Sequence, residues 1–78
     1  MNLSERISSD PAICHGKPCI RGTRIMVANI LGQLEGGESW DSIRRGYPEI
    51  SDDDIRAAIA YATAVVQDEE IILLQRGG

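Results

Sequence analysis

The segment Ile13-Cys14-His15-Gly16-Lys17-Pro18-Cys19-Ile20-Arg21-Gly22-Thr23-Arg24-Ile25 constrains the backbone more than any other part of the chain. Its thirteen positions hold two glycines, a proline, both cysteines, the only histidine and three of the eight basic residues. Glycine opens the left-handed region of backbone space and proline fixes φ, so Gly16-Lys17-Pro18 reads as a turn. On either side, Ile13–His15 and Cys19–Arg21 have the composition of two short strands, which predicts a small hairpin or a bent strand. Two such strands are not stable alone in water, so they must lie on helices or pair with a second copy.

The surroundings supply the helices. Ahead of the segment, Arg6-Ile7-Ser8 can extend and Ser9-Asp10-Pro11 reads as a turn. After it, Val27, Ile30, Leu31 and Leu34 fall on one stripe, which predicts a first helix ended by Gly36-Gly37. Ser39 is a good N-cap for a short second helix in which Trp40, Ile43 and Tyr47 share a face, stopped by Gly46 and Pro48. The third helix has the strongest start signal. Ser51 is its N-cap, Asp54 reaches back as a shortened capping box, and Ile50 is placed to staple against Ile55. Its apolar face runs Ile55, Ala58, Ile59, Ala62, Val65, Val66; the pattern then breaks, because Asp68-Glu69-Glu70 and Ile71-Ile72-Leu73-Leu74 cannot share one buried face. The second and third helices, separated by the bend from Gly46 to Ile50, have the layout of a helix-turn-helix.

The expected fold is therefore mainly α: one compact three-helix domain with a small N-terminal β-hairpin and a long C-terminal helix. It divides into a β element over 1–25, a helical core over 26–66 and a partner-binding tail over 67–78. At 78 residues the chain is a single domain. A domain this size hides only about 60% of the surface its unfolded chain exposes, which favours self-association or a partner. With no phenylalanine and eleven isoleucines, the core must be aliphatic. The longest apolar run, Ala57 to Ala62, is far short of the roughly 20 residues a membrane helix needs, and Met1–Asp10 lacks the apolar stretch of a signal peptide. A cytoplasmic location without membrane contact is the expectation, and there the two cysteines would be thiols.

The formal charge of −4 is unevenly spread. Residues 1–30 carry a net +2 and the remainder −6. The bulk acidity disfavours nonspecific nucleic-acid binding, but the positive end keeps it open.

Candidate chemistry is thin. Cys14, His15 and Cys19 invite a metal or thiol-nucleophile reading, yet neighbours in a strand point to opposite faces, and three clustered ligands fall short of the four a structural zinc takes. Two small buried thiols and a surface histidine at a turn account for them better. Asp52-Asp53-Asp54 lie in the first turn of the third helix, where the helix dipole welcomes carboxylates, so capping outweighs a magnesium site; the same acids make that helix a poor reader of DNA. The basic candidates for DNA contact are Lys17, Arg21 and Arg24 around the hairpin and Arg44 and Arg45 at the end of the second helix. Against that reading, Arg44 and Arg45 also complement the dipole of their own helix. Unpaired strand edges offer a route to a homodimer, which would double the patch.

The segment Asp68, Glu69, Glu70, Ile71, Ile72, Leu73, Leu74 can be satisfied by docking on a basic, grooved partner; the competing account has its aliphatics fold back on the core or zip with a second copy. No nucleophile–base pair, phosphate loop or metal quartet points to an enzyme, and no cofactor is expected.

One resemblance gathers these features. Asp10-Pro11, Gly16-Lys17-Pro18, Ile20, Gly22-Thr23-Arg24, Ile25, Val27, Gly37-x-Ser39, Tyr47-Pro48 and Asp54-Ile55 occur in the order and spacing of the family catalogued as domain of unknown function 433. Over roughly residues 5–66 the chain resembles that family. The resemblance implies a homeodomain-like fold and the role of antitoxin in a bacterial type II toxin–antitoxin pair, whose toxin is a PIN-like nuclease. The expected partners are thus that cognate toxin, a second copy in a homodimer, and operator DNA for autorepression. The alternative reading is a stand-alone helix-turn-helix DNA-binding regulator.

Overall fold

A computed structural model describes residues 2–76; for residue 4 and residues 69–76 it describes the backbone only. The elements run α1 (Leu3–Arg6), β1 (Ile7–Ser8), β2 (Cys19–Ile20), α2 (Val27–Glu35), α3 (Trp40–Gly46) and α4 (Asp52–Arg76). Three helices behind a two-stranded antiparallel β element, with a long last helix, are the architecture expected from the sequence.

The strands differ from expectation. β2 pairs with β1 in the register Ile7↔Ile20 and Ser8↔Cys19, and not with Ile13–His15. The reason lies in the loop between them. The Asp10 side chain accepts from the Ala12 N–H at 2.8 Å, the turn expected of Asp10-Pro11. The Asp10 carbonyl then gathers the N–H groups of Ile13 at 2.9 Å and Gly16 at 3.2 Å. Cys14, His15 and Gly16 all take positive φ, at 54°, 55° and 79°. They coil into a 3-10 turn over Cys14–Gly16, and no strand can form there. On its far side β2 makes a tight return: Ile20 N–H donates to Ile25 O at 2.9 Å, and Cys19 bridges to Met26. The β2 backbone is thereby bonded on both edges within one chain, so an open β2 edge for a second copy is absent.

The helix ends follow their local signals. Gly37, at φ 88°, turns the chain out of α2. Ser39 caps α3 by accepting the Ser42 N–H at 3.1 Å. At the start of α4 the capping box is complete: Asp54 N–H donates to Ser51 Oγ at 3.3 Å, and Ser51 N–H donates to Asp54 Oδ2 at 3.0 Å. Isoleucines at 7, 20, 25, 30, 43, 50 and 55 converge with Val27, Ala57 and Ala58 in a single core, with Trp40, Tyr47 and Tyr61 packed at its margin. Each fully buried isoleucine contributes about 1.5–3 kcal/mol relative to exposure. Ile50 and Ile55 both enter this core, as expected of a staple across the helix start.

The apolar face of α4 is buried through Ala58 and half-buried at Tyr61 and Ala62, while Ile59, Val65 and Val66, expected on the same face, are 38%, 38% and 56% exposed. The apolar pattern breaks at Asp68 but the helix does not: no proline or glycine intervenes, and α4 continues as one element to Arg76, the long last helix expected.

Candidate functional site

Two surfaces hold the sequence-predicted site residues. The first is the basic edge built on β2. Gly22, at φ 82°, occupies the third position of a turn in which Thr23 N–H returns to Ile20 O at 3.0 Å, a geometry that calls for glycine. The Thr23 hydroxyl donates to Ile20 O at 2.8 Å and accepts the Ile25 N–H at 3.0 Å, locking the return. Pro18 has no N–H to offer, but its carbonyl accepts the Val27 N–H at 3.0 Å and so ties the loop to the start of α2. Gly16, Pro18 and Gly22 thus act through the backbone, and Thr23 through its hydroxyl as well. Lys17, Arg21 and Arg24 are exposed around this scaffold. Arg21 also donates to Ile7 O at 3.2 Å, which holds its guanidinium against β1.

Arg44 and Arg45 sit apart from that edge in the chain, at the end of α3, and they divide in role. Arg44 binds Asp41, and its Nε lies 2.9 Å from Asp52 Oδ1 at the start of α4. Arg45 is exposed. The acidic triplet is matched in the same way throughout: Arg6 reaches Asp53 at 3.5 Å and Asp54 at 3.1 Å, while Arg56 reaches Asp53 at 3.1 Å and lies 5.2 Å above the Trp40 ring. These arginines fasten α1, α3 and α4 together. Sequence reasoning placed the acids correctly at the helix start and missed their partners, since Arg6 lies 48 positions from Asp54.

Of the two cysteines, Cys19 lies in a strand as expected and Cys14 does not. Cys19 is buried in β2 and Cys14 is half-buried in the left-handed turn, with His15 exposed beside it. Partial burial, and next the adjacent Cys19, raise the Cys14 thiol above its ordinary value, with the Arg24 charge pulling the other way. Holding two non-glycine residues in the left-handed region costs about 1–2 kcal/mol each. Among the described residues, no group of three or more His, Cys, Asp or Glu could hold a metal ion.

The second surface is the uncovered side of α4. A groove of about 240 Å³ lies between α2 and α4, bordered by Val27, Ala28, Leu31, Tyr61, Val65 and Val66. An adjoining hollow of about 290 Å³ is bordered by Leu31, Ile59, Ala62 and Val66. Neither is lined by a charged side chain. Asp68 follows on the same helix and is exposed; the side chains of Glu69, Glu70, Ile71, Ile72, Leu73 and Leu74 lie outside the described residues, as do Gly77 and Gly78 altogether. No helix among the described residues is long and apolar enough to cross a membrane.

The molecule is thus a small trihelical domain with a β clasp at its N-terminal side and a protruding helix at its C-terminal side. Residues 7–62 match the family described as protein of unknown function DUF433, and the chain belongs to that family. A crystal structure of a DUF433 member from Anabaena variabilis ATCC 29413 superposes with a TM-score of 0.73 at 28% identity, covering 97% of this chain and 72% of that one. The uncharacterized protein y4eO of Sinorhizobium fredii (strain NBRC 101917 / NGR234) is 33% identical over 60 residues. That stretch is 77% of this chain and 27% of the relative, so the chain spans about a quarter of the relative's length.

Proposed function

We propose that this chain is the antitoxin of a bacterial type II toxin–antitoxin pair and neutralises a PIN-like nuclease toxin by direct binding. The observation that carries this reading is the projection of α4. Its last buried core residue is Ala58, yet the helix runs to Arg76. At 1.5 Å per residue that leaves about 27 Å of helix past the core. Exposed Val65 and Val66 lead along it into Asp68-Glu69-Glu70 and Ile71–Leu74. A helix that presents a run of acids beside a run of aliphatics suits a groove on a protein whose own substrate is polyanionic and whose surface is therefore basic. In this reading the chain is no enzyme; it works by occlusion.

Operator binding by a homodimer is the second role in this proposal. Its support is the exposed set Lys17, Arg21, Arg24 and Arg45, together with the five-residue connection between α3 and α4 that a homeodomain-like helix-turn-helix would use. The stand-alone regulator uses the same residues but has no use for a protruding helix.

The test is co-expression with the product of the adjacent reading frame, using the full chain and a chain ending at Val66. The full chain should co-purify with the toxin and relieve its toxicity. The shortened chain should do neither while keeping its melting temperature within a few degrees, since the truncation removes no core residue. Neutralisation by the shortened chain would overturn the assignment of α4.

A further inference from the structure

We propose that Cys14 and Cys19 form a dithiol that closes reversibly to an intrachain disulfide when the chain meets a peroxide. The geometry comes from the left-handed turn. Positive φ at Cys14, His15 and Gly16 coils the loop back so that the Cys14 side chain reaches the carbonyl of Arg24, in the return that follows β2. The two thiols use consecutive carbonyls of the return that follows β2: Cys14 Sγ donates to Arg24 O at 3.3 Å, and Cys19 Sγ to Thr23 O at 3.7 Å. Such backbone strain at non-glycine residues persists only where the surroundings hold it, and here it holds the Cys14 sulfur on the carbonyl next to the one that Cys19 uses.

The two thiols differ in access, as a reacting pair requires. Cys14 is half-buried and can be reached from solvent, whereas Cys19 is buried. In the reaction, Cys14 loses its proton and the thiolate attacks one peroxide oxygen; the O–O bond breaks, water leaves and Cys14 becomes a sulfenic acid. The Cys19 sulfur then attacks the Cys14 sulfur, the S–O bond breaks and a second water leaves with the Cys19 proton. Two thiols and one hydrogen peroxide give one disulfide and two waters, and the two electrons pass from sulfur to peroxide. Because desolvation and Cys19 raise the Cys14 thiol, closure is slow at neutral pH and accelerates as pH rises through the thiol range. The bridge would close the loop that carries Lys17 and fix it against the carbonyls of Thr23 and Arg24, freezing the basic edge.

The test uses the full reduced chain, hydrogen peroxide as the probe and mass spectrometry of the tryptic digest. Lys17 precedes Pro18 and resists trypsin, so both cysteines fall in one peptide, Ile7–Arg21. That peptide should lose two hydrogens and regain them with a reductant, in a chain that stays monomeric on a non-reducing gel. The oxidised chain should melt about 10 °C above the reduced one, the shift expected for closing so short a loop in a domain this size. Cys14→Ser should abolish both changes. Cys19→Ala should abolish the mass change as well, and Cys14→Ser alone decides the matter if that buried variant fails to fold. Overoxidation of Cys14 to sulfinic acid without the loss of two hydrogens, intermolecular bridges alone, or an oxidised form that melts below the reduced one would each overturn the proposal.

Discussion

Asp54→Ala is the substitution in which the helix start should declare its worth. Asp54 Oδ2 accepts the Ser51 N–H at 3.0 Å, and Oδ1 accepts from Arg6 Nη1 at 3.1 Å; its side chain is 13% exposed. Loss of half the capping box costs about 1 kcal/mol. The ion pair, with its arginine 38% exposed, adds about 0.5–1 kcal/mol once solvent screening is allowed for. Together these give about 1.5–2 kcal/mol, or a fall in melting temperature of about 10 °C for a domain this size. Asp53 is 54% exposed and makes only ion pairs, so Asp53→Ala should cost about 0.5 kcal/mol. Asp54→Asn keeps an acceptor and loses the charge, so it should fall between the two. Circular dichroism melts and urea titrations of the three variants, with and without millimolar magnesium, make the comparison. Equal losses at positions 53 and 54, or a melting temperature raised by magnesium in the parent chain and unmoved in Asp53→Ala, would refute the capping account in favour of a cation site.

Further outcomes follow from the same geometry. Gly22→Ala should destabilise by about 1–2 kcal/mol from φ 82° alone, since its surroundings are open, whereas Gly32→Ala, inside α2 with nothing within 4 Å, should stabilise by up to about 1 kcal/mol; urea midpoints check both. If operator DNA is bound, Arg45→Ala should lower the slope of log affinity against log salt by about 0.9, while Arg44→Ala, already held by Asp41 and Asp52, should leave the slope unchanged and cost stability instead. A folded-state thiol raised at Cys14 means that the unfolded chain gives up its proton first, so stability is fully present below the ordinary thiol range and falls as pH rises through it. Denaturant midpoints between about pH 8 and 10 should therefore decline more steeply for the parent than for Cys14→Ser.

The sequence announced the elements whose signals are local and concealed those that depend on distant partners. Gly36-Gly37, Ser39, Gly46, Pro48 and Ser51-x-x-Asp54 act within four residues of themselves, and the three helices begin and end where these residues require. The two-stranded antiparallel hairpin is present, but its first strand is Ile7–Ser8 rather than Ile13–His15, across a loop closed by left-handed conformations at Cys14 and His15. Nothing in the identity of cysteine or histidine foretells positive φ; the tertiary setting imposes it. Periodicity likewise marked Val65 and Val66 as apolar but carried no information on how far the domain extends beneath them. The arginine partners of Asp52–Asp54 come from α1, α3 and α4 itself, and only the fold brings Arg6 to the acids.

That arrangement of charge bears on how one small chain would serve the two unlike partners proposed for it. The helix start that would face phosphates is not the bare triplet of carboxylates it is in the sequence, because Arg6, Arg44 and Arg56 meet Asp52, Asp53 and Asp54. Much of the acidity of the C-terminal half is thereby matched at the base of α4, and Asp68-Glu69-Glu70 lie about four turns further along the helix. The base of α4 is a structural joint and its far end the proposed interaction surface, and the two can be separated by experiment. Asp54→Ala should lower stability and leave toxin capture intact at temperatures where the domain is folded. Truncation after Val66 should do the reverse. A segment folded back on its own core would link the two losses, because such a return requires a turn and would make the last residues part of the cooperative unit. α4 has no turn as far as Arg76, so the losses should come apart.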